Sequence, residues 1–274
     1  MCPHCRAFIT TRDKVCPYCN EVVGPRAIDR RSPGAILGGL IPHARFTTVV
    51  ILILNFGLYL ATALFSMRAG NGGGFLDIDG QTLLAFGAKL RYHGTMFMGQ
   101  WWRLVTAGFL HGGLLHIAMN SWVLFDLGAQ VEEVYGTPRM IVFYFAGTVA
   151  GFYASTWWSP ALSVGASAGL FGLIGAMIAL GVGNRHPLGS AIRSHYIRWT
   201  VYMLIFGLLP GIRVDNAAHI GGLAAGFGLG YLADLPRIET SPREMFWRLA
   251  AWASVFLTAF SFLKMFLWFS ARAQ

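Results

Sequence analysis

Charge is what this chain has least of. Asp, Glu, Lys and Arg make up 12% of its 274 residues, about half the share of an ordinary soluble domain. Apolar residues make up 55% and the mean hydropathy is +0.54. The deficit excludes a water-soluble body and points to a bilayer as the main solvent. Cysteine is nearly absent too: the 4 present all lie before residue 20, so no disulfide framework supports the bulk of the chain. No long apolar run precedes Phe46, too late for a secretory signal peptide, and the N-terminus is expected to be retained. The net charge of +9 would suit a nucleic acid. The basic residues, however, fall mostly in short segments between apolar runs, where orientation in a membrane accounts for them, and no nucleic-acid partner is expected. There is no H-E-x-x-H zinc motif, no evident pair of membrane-embedded aspartates, and no repeat of interrupted apolar segments in two halves. These absences count against a metalloprotease, an aspartyl protease and a transporter.

What is present is a series of apolar runs, each near the length of about 20 helical residues that crosses a bilayer. They are expected at 46–67, 112–131, 139–157, 166–183, 196–211, 216–234 and 246–269. The fold class is therefore an all-α polytopic membrane protein of seven spans. A longer segment at 68–111 holds the cluster Gln100-Trp101-Trp102-Arg103 and is expected to lie at the interface. Division by composition gives a cysteine unit at 1–24, a Pro/Gly/Arg-rich linker at 25–45, a core at 46–234, and a last span with a tail at 235–274. With the N-terminus in the cytoplasm, most Lys and Arg, including Arg139, Arg193, Arg198, Arg243 and Arg248, fall on the cytoplasmic side. The positive-inside rule favours that orientation.

Polar residues inside apolar spans are costly and mark function. Ser167 stands at the start of the fourth span in Gly165-Ala166-Ser167-Ala168-Gly169. Those letters match the nucleophile elbow of α/β-hydrolases, but no strand pattern precedes them. They place a serine at a helix N-terminus among residues too small to block access, where unpaired amides favour a developing oxyanion. His219, near the start of the sixth span, is the candidate base. Gly222, Gly226 and Gly230 share its face, and Ala168, Gly172 and Gly175 lie on the fourth span, so the two helices are expected to approach closely. His116 and Asn120, at i and i+4 on the second span, offer hydrogen-bond donors from one face. Asp215 lies one turn before His219, where it either orients that ring or caps the helix; capping is the expected role. Asp126, Glu132 and Glu133 are read as structural.

Together these residues resemble the rhomboid family. His111, His116 and Asn120 match its H-x4-H-x3-N motif, Gly165-Ala166-Ser167 its G-x-S motif, and Ala218-His219 with Gly222 and Gly226 its A-H-x2-G-x3-G helix. Trp102-Arg103 looks like the W-R pair of the family's first loop, and the likeness covers residues 46–234. It implies a six-helix core, to which the seventh span is the "plus one", and a Ser167/His219 dyad that needs no cofactor. Asn120, His116 and the Ser167 amide would stabilise the oxyanion, with His111 and Gly165 supporting. Phe171 would pack on the His219 ring. The implied activity is that of an intramembrane serine endopeptidase cutting single-pass membrane proteins. With no organelle transit peptide visible, it is expected in a bacterial inner membrane, its site open to the non-cytoplasmic side. Ala168 departs from the Gly of many relatives without removing a chemical group. The competing reading is a catalytically silent scaffold that binds membrane proteins; such relatives are expected to lack the Ser or the His, and this chain has both.

The cysteine unit stands apart. Cys2, Cys5, Cys16 and Cys19 form two C-x-x-C pairs, each with Pro after its first Cys. They offer the ligand count and short knuckles of a tetrahedral structural zinc site and look like a zinc ribbon. About 20 residues cannot bury a core, so the metal would supply the folding energy. The alternative is a redox or unstructured tail, which a reducing cytoplasm disfavours. The partner of this unit is not legible.

Overall fold

The computed structural model describes residues 1–23 apart from 3, 10–12, 14 and 22, and residues 46–70, 72–183, 187–210, 214–233, 235–236 and 241–271. The expected linker at 25–45 lies outside the described residues, as do the ends of the fifth and sixth expected spans at 211 and 234. Among the described residues the chain from Phe46 onward is helical, with an isolated bridge between Lys89 and Ser163.

Nine α-helices among the described residues carry the fold: α1 (Phe46–Ala69), α2 (Gly80–Ala85), α3 (Arg103–Thr106), α4 (Leu114–Val123), α5 (Ala129–Trp158), α6 (Ser167–Gly183), α7 (Pro187–Phe206), α8 (Asn216–Leu232) and α9 (Pro242–Ser270). α4 runs on through a wide π-helical turn at Leu124–Gly128 into α5. Gly136 then breaks that long helix with φ 77 and ψ 160. A Cβ is strained at such a φ, and Pro138 just beyond cannot donate to the preceding turn. The second expected span thus reaches the break at Gly136, and the third starts there. The fifth expected span, 196–211, is observed as Pro187–Phe206. Hydropathy misplaced its start because Arg193, His195 and Arg198 dilute the first turns, whereas Pro187 at the first helical position favours helix entry.

Among the described residues, three stretches are long and apolar enough to cross a membrane: Phe46–Ala69, Leu114–Trp158 and Pro242–Ser270. α6 is apolar but 17 residues long, and α8 has the same length. The outer faces carry exposed Ile53, Phe56, Leu115, Trp122, Trp252 and Phe256, surface that lipid rather than water tolerates. The protein is a multi-pass membrane protein.

Among the described residues few charges are buried, and helix ends supply the partners of Glu132 and Arg139. Glu132 reaches from α5 to cap the start of α1, accepting from Thr47 N at 3.1 Å and Thr47 Oγ1 at 2.6 Å. Its negative charge there also suits the positive end of the α1 dipole. Arg139 and Glu244 form a buried two-pronged pair, at 2.9 and 2.6 Å, that joins the start of α9 to α5. At the far end of α9, Trp268 lies over the buried Arg103 guanidinium at 4.7 Å, and the Trp102 ring lies 4.6 Å from the same group. Phe65, Phe86 and Phe269 close a cluster beside it, with centroids 5.5 to 5.7 Å apart. The last span is thus fixed at both ends to the rest of the bundle.

At the centre, α6 packs against α5 and α8 through small residues. A Cβ built on Gly226 would overlap the Gly172 carbonyl, one on Gly222 the Ala168 carbonyl, and one on Gly230 would lie 2.7 Å from Ala176 Cα. Dispersion between closely approaching backbones takes the place of the hydrophobic effect, which does not drive helices together in lipid.

Candidate active site

Ser167 is the first residue of α6, and its side chain is partly exposed. The preceding Gly165 has φ 130, which only glycine adopts without strain. Gly165 N donates to Ala107 O at 2.9 Å, tying this turn to the segment before α4. The first amides of α6 have no partner inside the helix.

His219 is buried in the first turn of α8, and its Nε2 lies 2.9 Å from Ser167 Oγ. Its ring stacks on Phe171, centroids 4.1 Å apart and planes 6° from parallel. Phe171 comes one turn after Ser167, so one helix carries both the hydroxyl and the plate that orients the ring. His219 Nδ1 has no hydrogen-bond partner among the described residues. Asp215 turns the other way: it caps α8 by accepting from Ala218 N at 3.1 Å, and it receives the Ser155 hydroxyl. The geometry is a Ser-His pair, with Asp215 capping.

His116 and Asn120 line the opposite wall. A Cβ on Gly165 would lie 2.6 Å from His116 Nε2 and 3.7 Å from Asn120 Nδ2, so the absence of a side chain there keeps both groups next to the serine turn. Gly112 N donates to His116 Nδ1 at 3.4 Å. An imidazole that accepts at Nδ1 carries its proton on Nε2, which makes the nitrogen beside Gly165 a donor. Asn120 Nδ2 donates to His116 O at 3.0 Å and has a second hydrogen to offer. His111 is fully buried behind them, its ring edge-on to His116 at 5.2 Å.

Trp102 and Arg103 are not brought to this site. Arg103 donates from Nε to Gln100 Oε1 at 2.6 Å and from Nη1 to the carbonyls of Leu84 and Ala88 at 2.8 and 2.9 Å. It organises the first loop and the α9 contact. Missed by sequence reasoning were Lys89, Ser155 and Ser159, which gather beside Asp215. A lysine between Ala88 and Leu90 gives no sign that its partners are carbonyl oxygens some seventy residues on.

The four cysteine sulfurs lie at the other end of the bundle, all within 4.8 Å of one another. Cys2–Cys19 and Cys5–Cys16 are separated by 3.5 and 3.6 Å. Thiolates at the usual zinc–sulfur length in a tetrahedron lie about 3.8 Å apart, so the residues fit such an ion. The two knuckles repeat one design. Arg6 N donates to Cys2 O and Asn20 N to Cys16 O, and these two residues have positive φ, 59 and 55.

Comparison with known proteins gives a consistent picture. Residues 98–234 match the Rhomboid domain. The chain is 36% identical over 178 residues to the rhomboid protease GluP of Bacillus subtilis, covering 65% of this chain and 34% of that protein. It is 30% identical over 188 residues to RHOMBOID-like protein 9, chloroplastic, of Arabidopsis thaliana, covering 68% and 42%. It is 31% identical over 193 residues to rhomboid-like protease 2 of Toxoplasma gondii, covering 69% and 65%. The matched stretch thus spans from a third to just under two thirds of these relatives.

Proposed function

The chain belongs to the rhomboid family, and on that premise we propose that it is an intramembrane serine endopeptidase in which Ser167 is the nucleophile and His219 the base. The observation that carries the reading is the 2.9 Å contact between Ser167 Oγ and His219 Nε2 at the N-terminus of α6. His219 takes the hydroxyl proton, Oγ attacks the scissile carbonyl, and the imidazolium returns the proton to the leaving amine. The oxyanion accepts from the Ser167 amide, Asn120 Nδ2 and His116 Nε2, donors already fixed before the charge develops. Water then resolves the acyl-enzyme with His219 again as base. No cofactor takes part. The substrate is a single-pass membrane protein, and the host is a bacterial inner membrane with the N-terminus in the cytoplasm and Ser167 facing the other side.

A fluorophosphonate should react with the purified chain and leave one phosphonyl adduct, located by peptide mass spectrometry on Ser167. An adduct elsewhere would remove Ser167 from the role. No adduct on a folded chain would favour the silent scaffold.

The cysteine unit, on the same footing, holds a structural zinc through Cys2, Cys5, Cys16 and Cys19. Elemental analysis should find one zinc per chain, and Cys2→Ser/Cys5→Ser should lose it. Chelation should make residues 1–23 open to proteolysis, since metal binding is the folding energy of so small a unit. Protection that survives complete zinc loss would refute the assignment.

A further inference from the structure

Lys89 plays no part in the reaction above, yet its side chain is fully buried. An ammonium withdrawn from water persists only where oxygens replace the lost hydration. Here Nζ donates to the carbonyls of Ser159 and Ala161, both at 3.1 Å, and lies 3.9 Å from Asp215 Oδ2. The Lys89 backbone also pairs with Ser163 in both directions, at 3.0 and 3.2 Å. Ser159, Ala161 and Ser163 form the connection that leads into Ser167. Asp215 is the cap of α8, one turn ahead of His219. One side chain therefore touches both segments from which Ser167 and His219 emerge, groups 52 residues apart in the chain.

That placement meets a need the helices leave open. Glycine and alanine stripes set how close α6 and α8 lie, while their axial register also depends on what holds the segments at their N-terminal ends. Sliding is the motion that separates Oγ from Nε2. Between Trp158 and Ser167 the connection is held by the backbone bridge to Lys89 and by Gly165 N donating to Ala107 O. We propose that Lys89 is a positioning residue, fixing the axial register of α6 against α8 by binding the turn before Ser167 and the cap before His219 at once. This rests on the Ser167/His219 reading.

The test is the kinetics of fluorophosphonate labelling in the full-length protein, with the maximal rate constant separated from the half-saturating concentration. Lys89→Met keeps the length and removes the charge. A misplacement on the order of 1 Å costs up to about 100-fold in rate. The maximal rate constant should therefore fall about 10- to 100-fold, with half-saturation within about twofold of wild type. Asp215→Asn keeps a capping oxygen for Ala218 N and loses the charge, so it should fall less; the double variant should fall less than the product of the two. Lys89→Arg, which restores a cation, should recover part of the loss. A wild-type maximal rate constant in folded Lys89→Met, or in Asp215→Asn should Lys89→Met not fold, overturns the proposal. Absence of labelling in the wild type refutes the dyad itself, a separate outcome.

Discussion

Ser167→Ala is expected to reduce cleavage of a single-pass reporter by about 10⁴-fold or more, and His219→Ala by a similar factor. When nucleophile and base work as one unit, either loss removes the whole pathway, and such losses are far from additive. The double variant should thus be no slower than either single one. The residue left by all three variants would come from substrate binding and from Asn120 and His116, which keep their places without the serine hydroxyl. Initial rates on one reporter, in protein matched for thermal transition, check this. Multiplying effects in the double variant would mean that the 2.9 Å contact is not the reacting pair.

Gly226→Val is expected to lower the labelling rate of Ser167 at least about 100-fold while touching no reacting group. The atoms nearest a Cβ at this position are the oxygen, carbon and Cα of Gly172, all backbone. No rotamer change relieves that overlap, so α8 must move off α6, carrying His219 from Ser167. Overpacking of this kind costs about 1–3 kcal/mol in stability, and a shift on the order of 1 Å costs about 100-fold in rate. Gly228 supplies the control. It lies on the same helix, and a Cβ there meets nothing within 4 Å. Gly228→Ala should label at the wild-type rate and be stabilised by a few tenths to about 1 kcal/mol through helix propensity. A normal rate in Gly226→Val would show that the α6–α8 contact does not set the site.

Much of this arrangement was readable because a membrane chain makes polar residues conspicuous. His111, His116, Asn120, Ser167 and His219 stand out against apolar spans, and glycines at i+3, i+7 and i+11 from His219 announce a helix face built for contact. Structure brings the first three to one wall and the last two together, leaving Trp102 and Arg103 with α9. Helix ends were harder to read. Hydropathy averages over a window, so the basic first turns of α7 went unseen while its apolar half was found. Least readable were the groups whose partners carry no side-chain label or lie far along the chain. Lys89 is satisfied by main-chain carbonyls, Glu132 by an amide 85 residues away, and Arg139 by a carboxylate 105 residues away. A helical sequence pattern records which face is apolar; it does not record which distant helix supplies a counter-charge.

The double attachment of α9 bears on how the chain is made. Arg139 enters the bundle early in synthesis, while Glu244 is added more than a hundred residues later. Until then the guanidinium lacks the carboxylate it binds in the complete bundle; removing one partner of such a buried pair costs about 3–5 kcal/mol where it has been measured in other proteins. The Trp102–Arg103 stack likewise waits for Trp268, at the other end of α9. A nascent chain that has released α1 to α8 therefore still lacks both of the contacts that α9 supplies.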